Sequence, residues 1–344
     1  MLLTAQTPLL DRYDLMMFDL DGVVYVGGQR IEGVAEIVSQ VREAGRGVAF
    51  VTNNASRTPD KVAAKLRGMG VPAQPADVVT SAQAAARMLH DQFGAGAPIV
   101  LLGAAGLDEA LRAEDLVPVS VQEPEAVALS TGYSPDAVWR DIMRAAVRVR
   151  AGLPWVATNT DLSIPTDYGL APGHGVLVGM LQRFTGVDPQ VAGKPARPLL
   201  DETIRRVGGA RPLMIGDRLD TDIEGAHNAG VDSLLVLTGV SGLQDLVAAP
   251  PALRPTYISP DLAGLLTPHQ APTMDVASGV PGFALEGWSG RVEDGQLVVG
   301  GAGEVATWWR VAVSVAWDHL DRTGGVVSLK HTRPPMPRRV GERL

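Results

Sequence analysis

From the N-terminus to about residue 262, the sequence alternates short apolar runs with helical patterns. Each run is continuous rather than alternating with polar residues, which is typical of parallel strands covered on both faces. The runs predicted as strands are Leu15–Phe18, Val48–Val51, Ile99–Leu102, Ala126–Leu129, Trp155–Ala157, Leu213–Ile215 and Ser233–Leu237. Because parallel strands need long crossover connections, this order restricts the chain to the α/β class.

Helical periodicity fills the intervals between these strands. The predicted helices are Val34–Glu43, Pro59–Gly68, Ala82–Phe93, Pro135–Arg150, His174–Phe184, Pro198–Val207 and Thr221–Ala229. The helix predicted from Pro135 begins after Ser134 and ends at Gly152, which are ordinary helix boundary signals. We therefore predict a doubly wound parallel-sheet core with right-handed crossovers.

The last 75 or so residues have a different pattern. A proline-containing stretch at 267–272 is typical of a linker, and turn-rich segments with short apolar runs follow it. One predicted helix, Val305–Arg322, carries Trp308, Trp309 and Trp317. We expect a small α+β extension, whose tryptophan helix packs against the rest of the chain, against another subunit or within its own core.

Paired carboxylates follow two of the predicted strands. Asp19 and Asp21 come directly after one strand, and Asp217, Asp220 and Asp222 come after another. In an open α/β sheet the carboxyl ends of the strands bind ligands, and carboxylates crowded there raise one another's pKa. Mg²⁺ relieves such repulsion because it takes oxygen ligands. Either group alone could equally be solvated loop aspartates, but both groups at strand ends favour a Mg²⁺ site.

Groups suited to binding phosphate follow two other predicted strands. Thr52 and Asn53 supply a hydroxyl and an amide, and Lys194 supplies an ammonium group. Such groups neutralise phosphoryl oxygens, although a lysine alone is more often a solvated surface charge. The lysine is not part of a nucleotide P-loop. Pro195 stands where that motif requires Ser or Thr, and Asp188 stands where it requires glycine.

In their order along the chain, the DxDGV, TNN, GKP and GDRLDTD motifs resemble those of the haloacid dehalogenase superfamily of phosphatases. The resemblance implies that Asp19 is the nucleophile, which becomes an aspartyl phosphate. It implies that Asp21 is first the general acid for the leaving alkoxide and then the base that activates water. It also implies that Asp19, the backbone carbonyl of Asp21 and Asp217 hold Mg²⁺. Asp222 would support these ligands without itself binding the metal.

The same resemblance implies that Thr52, Asn53 and Lys194 bind the transferring phosphoryl group. The interval from Asp19 to Thr52 is short, whereas the interval from Thr52 to Lys194 is far longer than one crossover needs. We therefore predict a catalytic core of residues 1–80 and 191–266, an α/β cap of residues 81–190 and a C-terminal extension of residues 273–344. A phosphomutase is disfavoured, because those of this superfamily usually carry the cap between the first two motifs.

This architecture resembles the subgroup of N-acetylglucosamine-operon, phosphoglycolate, pyridoxal phosphate and 4-nitrophenyl phosphatases. The extension is similar to one carried by actinobacterial members that hydrolyse glycerol 3-phosphate, where it resembles an acetyltransferase-like fold. No acetyl-CoA phosphate loop is evident around residues 300–303, so acetyl transfer is not expected. The implied function is Mg²⁺-dependent hydrolysis of glycerol 3-phosphate to glycerol and phosphate, in glycerophospholipid recycling.

Other small phosphate monoesters remain alternatives, namely 2-phosphoglycolate, pyridoxal phosphate and 4-nitrophenyl phosphate. The cap would bind a glycerol leaving group through hydroxyl-binding groups, a glycolate through a cation and a pyridoxal through an aromatic surface. The candidates are Tyr133, Asn159, Asp161 and His174 for hydroxyls, Arg140 and Arg183 for a carboxylate, and Trp155 and Tyr168 for a ring. A phospho-ligand-binding assembly protein without activity is disfavoured, because the nucleophile, acid and lysine are all present.

Composition excludes several other classes. A net charge of −8 and a pI near 5.3 argue against nucleic acid or an anionic membrane as the main partner. With no cysteine, the chain has neither disulfides nor thiolate chemistry. No signal-peptide pattern or membrane-length apolar run is present, so we expect a cytoplasmic enzyme. Its partner would be a small phosphorylated metabolite, and self-association into a homo-oligomer stays open.

Overall fold

A computed structural model describes residues 2–166, 168–275 and 281–335. Its strands are β1 (Leu15–Phe18), β2 (Tyr25–Val26), β3 (Gln29–Arg30), β4 (Gly47–Thr52), β5 (Val78–Thr80), β6 (Pro98–Leu102), β7 (Val117–Val119), β8 (Ala128–Thr131), β9 (Trp155–Ala157), β10 (Ser163–Thr166), β11 (Gly169–Pro172), β12 (Gln190–Val191), β13 (Pro212–Gly216), β14 (Asp232–Val236), β15 (Tyr257–Ser259), β16 (Thr273–Asp275), β17 (Gly282–Leu285), β18 (Trp288–Glu293) and β19 (Gln296–Gly301).

The α-helices are α1 (Leu9–Arg12), α2 (Val34–Glu43), α3 (Pro59–Gly68), α4 (Ser81–Phe93), α5 (Ala105–Ala113), α6 (Trp139–Arg150), α7 (His174–Thr185), α8 (Pro198–Val207), α9 (Glu224–Ala229), α10 (Leu243–Val247) and α11 (Val305–Thr323). Within the described ranges, no helix is both long and apolar enough to cross a bilayer.

A six-stranded parallel sheet with the order β15-β14-β13-β1-β4-β5 forms the centre of the molecule. All four residues of β1 are buried, and Phe18 lies level with Ile215 on one neighbour and Phe50 on the other. The chain runs outward from β1 to β5 on one side and returns to β13 on the other. The strand order therefore reverses at β1, which is where α/β sheets bind ligands. The prediction of a doubly wound α/β fold is confirmed.

A second sheet is inserted between β5 and β13. Its strands have the order β12-β9-β8-β6-β7 and are all parallel, with α6 and α7 packed together beside them. We call this unit the cap. It approaches the six-stranded unit closely, since a Cβ on Gly106 would lie 2.6 Å from the backbone oxygens of Ala55 and Arg57. The division at residues 80, 190 and 266 stays a prediction, and β12 lies at one of its boundaries.

An antiparallel sheet of β16, β17, β18 and β19, crossed by α11, follows the linker. The tryptophan-bearing helix packs on both of its neighbours. Trp308, Trp309 and Trp317 share one apolar cluster with Leu297 of this sheet and with Leu235 of the six-stranded sheet. The predicted acetyltransferase-like character of 273–344 stays a prediction, and 276–280 and 336–344 lie outside the described residues.

Two helix predictions were wrong in detail. Helix α6 begins at Trp139 rather than Pro135, because Ser134 accepts a turn hydrogen bond from Ala137 and Val138 is extended. The helix predicted from Thr221 to Ala229 is a π-turn over Leu219–Ile223, followed by α9. The other predicted strands and helices are present with small shifts at their ends.

Candidate active site

The six-stranded sheet brings three of the predicted motifs to one edge. Asp19 follows β1, Thr52 ends β4 and Asp217 follows β13, and these are adjacent parallel strands. The N–H of Asp19 donates to the carbonyl of Ile215 at 2.9 Å, so the ladder extends to the first carboxylate. Lys194 follows β12, the strand by which the chain leaves the cap. The site therefore lies between the core and the cap.

Lys194 is buried between two carboxylates. Its Nζ lies 2.6 Å from Asp19 Oδ1 and 2.6 Å from Asp222 Oδ1, and the lysine is 2% exposed. Burial by itself would lower the pKa of Lys194, but the two carboxylates outweigh that effect and raise it. Burial and the charges of Asp222 and Asp217 raise the pKa of Asp19 well above its usual range, against the attraction of the lysine. The ammonium group is thus fixed beside the predicted nucleophile.

Asp217 and Asp222 have different environments. Asp222 Oδ2 accepts from the N–H groups of Asp217 (3.2 Å) and Arg218 (3.1 Å), so both of its oxygens have partners. Asp217 Oδ2 accepts from the Val240 N–H at 2.7 Å, whereas its buried Oδ1 has no hydrogen-bond partner among the described residues. Burial, with the charge of Asp222, raises the pKa of Asp217 to about 6.

These carboxylates fit a hard divalent cation. Oxygens of Asp19, Asp217 and Asp222 lie within 4.8 Å of one another, and the unpartnered Asp217 Oδ1 is one polar atom that a cation would satisfy. Because Asp222 is already held by Lys194 and two backbone groups, it suits a supporting position better than a ligand position. The metal-holding role of Asp19, Asp217 and the Asp21 carbonyl stays a prediction.

Asp21 follows Asp19 by two residues and, unlike Lys194 and Asp222, is exposed to solvent. The Tyr25 hydroxyl donates to Asp21 Oδ2 at 3.4 Å, and the Lys65 ammonium lies 3.7 Å from the centre of the Tyr25 ring. Asp21 is exposed to solvent, yet protein atoms packed around its carboxyl partly desolvate it. This desolvation raises the pKa of Asp21, although Lys65, Tyr25 and Arg57 oppose it. A carboxyl with a raised pKa is suited to donating a proton.

The side chain of Asn53 holds three segments together. Its Oδ1 accepts from the Lys194 N–H at 2.8 Å, and its Nδ2 donates to the Lys194 carbonyl at 2.9 Å and to Asp161 Oδ1 at 3.0 Å. The phosphate-binding role of Asn53 stays a prediction, and its side-chain amide already makes these three hydrogen bonds within the protein. Thr52 is buried beside it, and its Oγ1 accepts from the Asn54 N–H at 3.2 Å.

Two cap residues join this arrangement, Asp161 and Asn159. Asn159 Nδ2 donates to the carbonyl of Asn53 at 2.7 Å, and Asn159 Oδ1 accepts from the Asp161 N–H at 3.1 Å. Burial raises the pKa of Asp161, while Asn53, Lys194 and Arg218 oppose the rise. The sequence motifs did not single out this tether, because the residues that form it are far apart in the chain.

The remaining cap candidates have other surroundings. His174 is buried at the start of α7 beside the Asn159 carbonyl (3.4 Å), and its Nε2 has no partner among the described residues. Trp155 is buried in the cap and donates to Thr131, so it is a packing residue. Three further candidates lie on the exposed surface, namely Arg140, Tyr168 and Arg183. Tyr133 is half-buried in the segment after β8.

Two family models match the chain in the segments that carry the predicted catalytic, phosphate-binding and metal-holding residues. The model for haloacid dehalogenase-like hydrolases matches residues 16–117. A second model, for hydrolases like those of the haloacid dehalogenase group, matches residues 191–265. Together they contain Asp19, Asp21, Thr52, Asn53, Lys194, Asp217 and Asp222, whereas the substrate-contact candidates of the cap lie between the two matched segments.

Two phosphatases are similar to this chain in sequence. The D-glycerol 3-phosphate phosphatase of Mycobacterium tuberculosis is 44% identical over 284 residues, which cover 83% of this chain and 79% of that protein. An acid sugar phosphatase of Staphylococcus aureus is 35% identical over 74% of this chain and 96% of its own length.

Solved structures of the mycobacterial glycerol phosphate phosphatase are also similar. The calcium complex has a TM-score of 0.82 and 39% identity, covering 95% of this chain and 93% of that one. The magnesium complex has a TM-score of 0.79 and 40% identity, and the match covers 91% of this chain and 92% of that one. From these matches and the geometry of its site, this chain belongs to the haloacid dehalogenase-like hydrolase family and is a phosphatase of that family.

Proposed function

We propose that this phosphatase hydrolyses glycerol 3-phosphate to glycerol and phosphate, with Mg²⁺ as its cofactor and Asp19 as its nucleophile. The observation that carries the proposal is the buried contact of Lys194 with Asp19 and Asp222, beside the unpartnered oxygen of Asp217. The similarity to the mycobacterial glycerol 3-phosphate phosphatase supports the choice of substrate. The presence of magnesium in a structure of that enzyme supports the cofactor.

In the first step, a carboxylate oxygen of Asp19 attacks phosphorus while the bond from phosphorus to the glycerol oxygen breaks. Asp21 gives its proton to the departing oxygen, so that glycerol leaves uncharged and Asp19 carries the phosphoryl group. The raised pKa of Asp21 favours the protonated form that this step requires.

In the second step, the Asp21 carboxylate takes a proton from water as the water oxygen attacks phosphorus. The bond from phosphorus to Asp19 breaks, phosphate leaves and both carboxyl groups return to their starting states. The Lys194 ammonium, 2.6 Å from Asp19, offers positive charge to the phosphoryl oxygens in both steps. Mg²⁺, held by Asp19, Asp217 and the carbonyl of Asp21, would neutralise the remaining negative charge around phosphorus.

Phosphate release from four substrates tests this proposal: glycerol 3-phosphate, 2-phosphoglycolate, pyridoxal phosphate and 4-nitrophenyl phosphate. We expect wild-type protein with Mg²⁺ to have its highest kcat/KM on glycerol 3-phosphate and to lose turnover in EDTA. Asp19→Asn keeps the size of the side chain but removes the nucleophile, so turnover should fall at least a thousandfold. Asp91→Asn, exposed on α4, is the matched control and should keep wild-type turnover.

Two results would contradict parts of the proposal separately. A highest kcat/KM on another member of the panel would overturn the substrate but keep the mechanism. Metal-dependent turnover that persists in a clean preparation of Asp19→Asn would overturn the role of Asp19. Detection of the aspartyl phosphate by mass spectrometry after rapid acid quench would support it directly.

A further inference from the structure

We propose that Tyr25 is a positioning residue for Asp21, which holds one oxygen of that carboxyl so that the other faces the leaving group. The inference rests on the proposed function, because it takes Asp21 as the acid and base of that mechanism. It deepens that function by naming a group outside the four sequence motifs on which the proton transfer depends.

The side chain of Asp21 depends on Tyr25 for its orientation. Asp21 is exposed, and among the described residues Tyr25 alone donates a hydrogen bond to its carboxyl, at 3.4 Å. Asp19, by contrast, is held by the buried ammonium of Lys194 at 2.6 Å. Hydrogen bonds of catalytic groups are often long before the substrate binds and shorten in the complex. Because a general acid works only within hydrogen-bond reach of the atom that it protonates, the loss of this single contact would misplace Asp21.

The two oxygens of Asp21 have different surroundings. Oδ2 accepts from the Tyr25 hydroxyl, whereas Oδ1 makes no hydrogen bond with any residue that the structure describes. With Oδ2 held, Oδ1 is the oxygen that gives its proton to the leaving group in the first step and takes a proton from water in the second. Oδ2 accepts a hydrogen bond whether Asp21 is protonated on Oδ1 or ionised, so the contact with Tyr25 persists through both steps.

Tyr25 is itself fixed in place. Its side chain is 6% exposed and belongs to an apolar cluster of the core, and the Lys65 ammonium lies 3.7 Å from the centre of its ring, where a cation is attracted to the ring face. The backbone between the two residues is closed into a turn, since the Gly22 N–H donates to the Tyr25 carbonyl at 2.8 Å and the Tyr25 N–H donates to the Leu20 carbonyl at 3.1 Å. A hydroxyl on a ring that cannot move holds its acceptor in one position.

Leaving groups of different basicity separate the positioning of an acid from a purely structural role. Glycerol would leave as a strongly basic alkoxide unless it is protonated, whereas 4-nitrophenolate spreads its charge over the ring and the nitro group and needs no proton. The test therefore measures kcat/KM of wild-type protein and of Tyr25→Phe, with Mg²⁺, on glycerol 3-phosphate, phenyl phosphate and 4-nitrophenyl phosphate. Phenylalanine keeps the buried ring and its contact with Lys65 but removes the hydroxyl.

We expect Tyr25→Phe to lower kcat/KM at least tenfold on glycerol 3-phosphate, less than about threefold on 4-nitrophenyl phosphate and by an intermediate factor on phenyl phosphate. This parameter covers substrate binding and the departure of the leaving group but not the later attack of water. Turnover of 4-nitrophenyl phosphate by the variant also shows that it is folded. Tyr13→Phe is the matched control, because its buried hydroxyl likewise donates to an aspartate, Asp232, at 2.6 Å. It should leave the ratios between the three esters at their wild-type values.

Two results would overturn the proposal. An equal loss of kcat/KM on all three esters would show that the Tyr25 hydroxyl only stabilises the loop. A loss on glycerol 3-phosphate with equal factors on the two aryl esters would show that the hydroxyl contacts glycerol instead of acting through Asp21. The aryl esters share a ring and have no aliphatic hydroxyl, so a difference between them reports the basicity of the leaving oxygen.

Asp21→Asn, measured on the same esters, distinguishes failure of the proposed function from failure of this inference. It removes the acid itself and should lower kcat/KM in the same order of esters as Tyr25→Phe. If its losses do not follow that order, Asp21 is not the general acid and that part of the proposed function is wrong. If Asp21→Asn follows the order but Tyr25→Phe does not, the mechanism stands and the role of Tyr25 is overturned.

Discussion

Three buried or half-buried carboxylates of the site surround a single ammonium group. Asp19, Asp217 and Asp222 lie within 4.8 Å of one another, and Lys194 compensates for only one unit of their charge. Burial, together with repulsion between these carboxylates, therefore raises the pKa of Asp19 and of Asp217. A phosphate ester would add further negative charge to this space. The residues thus provide an electrostatic reason for a divalent cation to bind at this site.

The burial of His174 predicts how the stability of the protein depends on pH. Burial lowers the pKa of His174 to about 4 from an ordinary 6.5. Between pH 6.5 and 4 the ring is neutral in the folded protein but protonated in the unfolded chain. The contribution of His174 to the free energy of unfolding is therefore fully present above pH 6.5. The effect is lost as the pH falls from 6.5 towards 4. Between pH 7 and 4.5 the free energy of unfolding of His174→Gln should fall by about 2–3 kcal/mol less than that of wild type.

Urea unfolding in EDTA at several pH values would measure this difference. His269 also has its pKa lowered to about 4, by burial and by the charge of Arg310, so the variant should retain part of the acid sensitivity. His227→Gln, exposed near the end of α9, controls for the loss of an imidazole elsewhere. Parallel pH curves for His174→Gln and wild type would contradict the prediction.

The predictability of the site differs from residue to residue. Asp19, Thr52 and Asp217 directly follow or end buried strands, so the sheet alone brings them together. The contact of Asn53 with Asp161 could not be predicted, because it spans 108 residues and depends on how the cap seats on the core. A hydrogen bond across such an interval leaves no periodic signal in the sequence.

At the scale of elements, the loop after β1 depends on the absence of a side chain at Gly22. This residue has φ +90°, and a Cβ there would lie 2.3 Å from the carboxylate of Asp217. Gly28 has a similar φ of +82° but open space around it, so the two glycines form a matched pair. Both alanine variants should lose about 1–2 kcal/mol of stability from backbone strain. Only Gly22→Ala should also displace Asp217 and lower phosphatase activity, by at least tenfold.

Phosphate release as a function of Mg²⁺ concentration, with urea unfolding of each variant, would separate the two effects. The activity of Gly22→Ala should require more Mg²⁺ than that of Gly28→Ala at equal folded fraction. Identical Mg²⁺ dependence in the two variants would show that the close approach to Asp217 has no functional consequence.

The elements that sequence patterns identified best are the central ones. Strand β1 is buried throughout its length and β13 is buried from its second residue onward, and both are apolar, which leaves little ambiguity. The three-residue strands β5 and β15, at the two edges of the sheet, were not predicted. Such short strands are fixed by pairing with a neighbour rather than by their own composition. The start of α6 was misplaced because a proline after a serine also favours a turn.

At the scale of the whole molecule, α11 connects the extension to the core. Trp317 Nε1 donates to the carbonyl of Leu246 at 2.7 Å, and Arg254 pairs with Asp321 at 2.7 Å. The helix thus buries one face on its own sheet and another on the core. From sequence alone, these two positions were alternatives, because a helix with apolar residues on much of its circumference packs equally well in either place.

This shared cluster makes the stability of the catalytic unit depend on the extension. Trp317 is 2% exposed, whereas Trp139 on the cap helix α6 is 61% exposed. Trp317→Ala should lower the free energy of unfolding by about 3–5 kcal/mol, while Trp139→Ala should change it by less than about 1 kcal/mol. Thermal inactivation of phosphatase activity, beside urea unfolding, would measure both variants. If Trp317→Ala unfolded the extension while the phosphatase kept its wild-type inactivation temperature, the two units would be energetically independent, contrary to their common core.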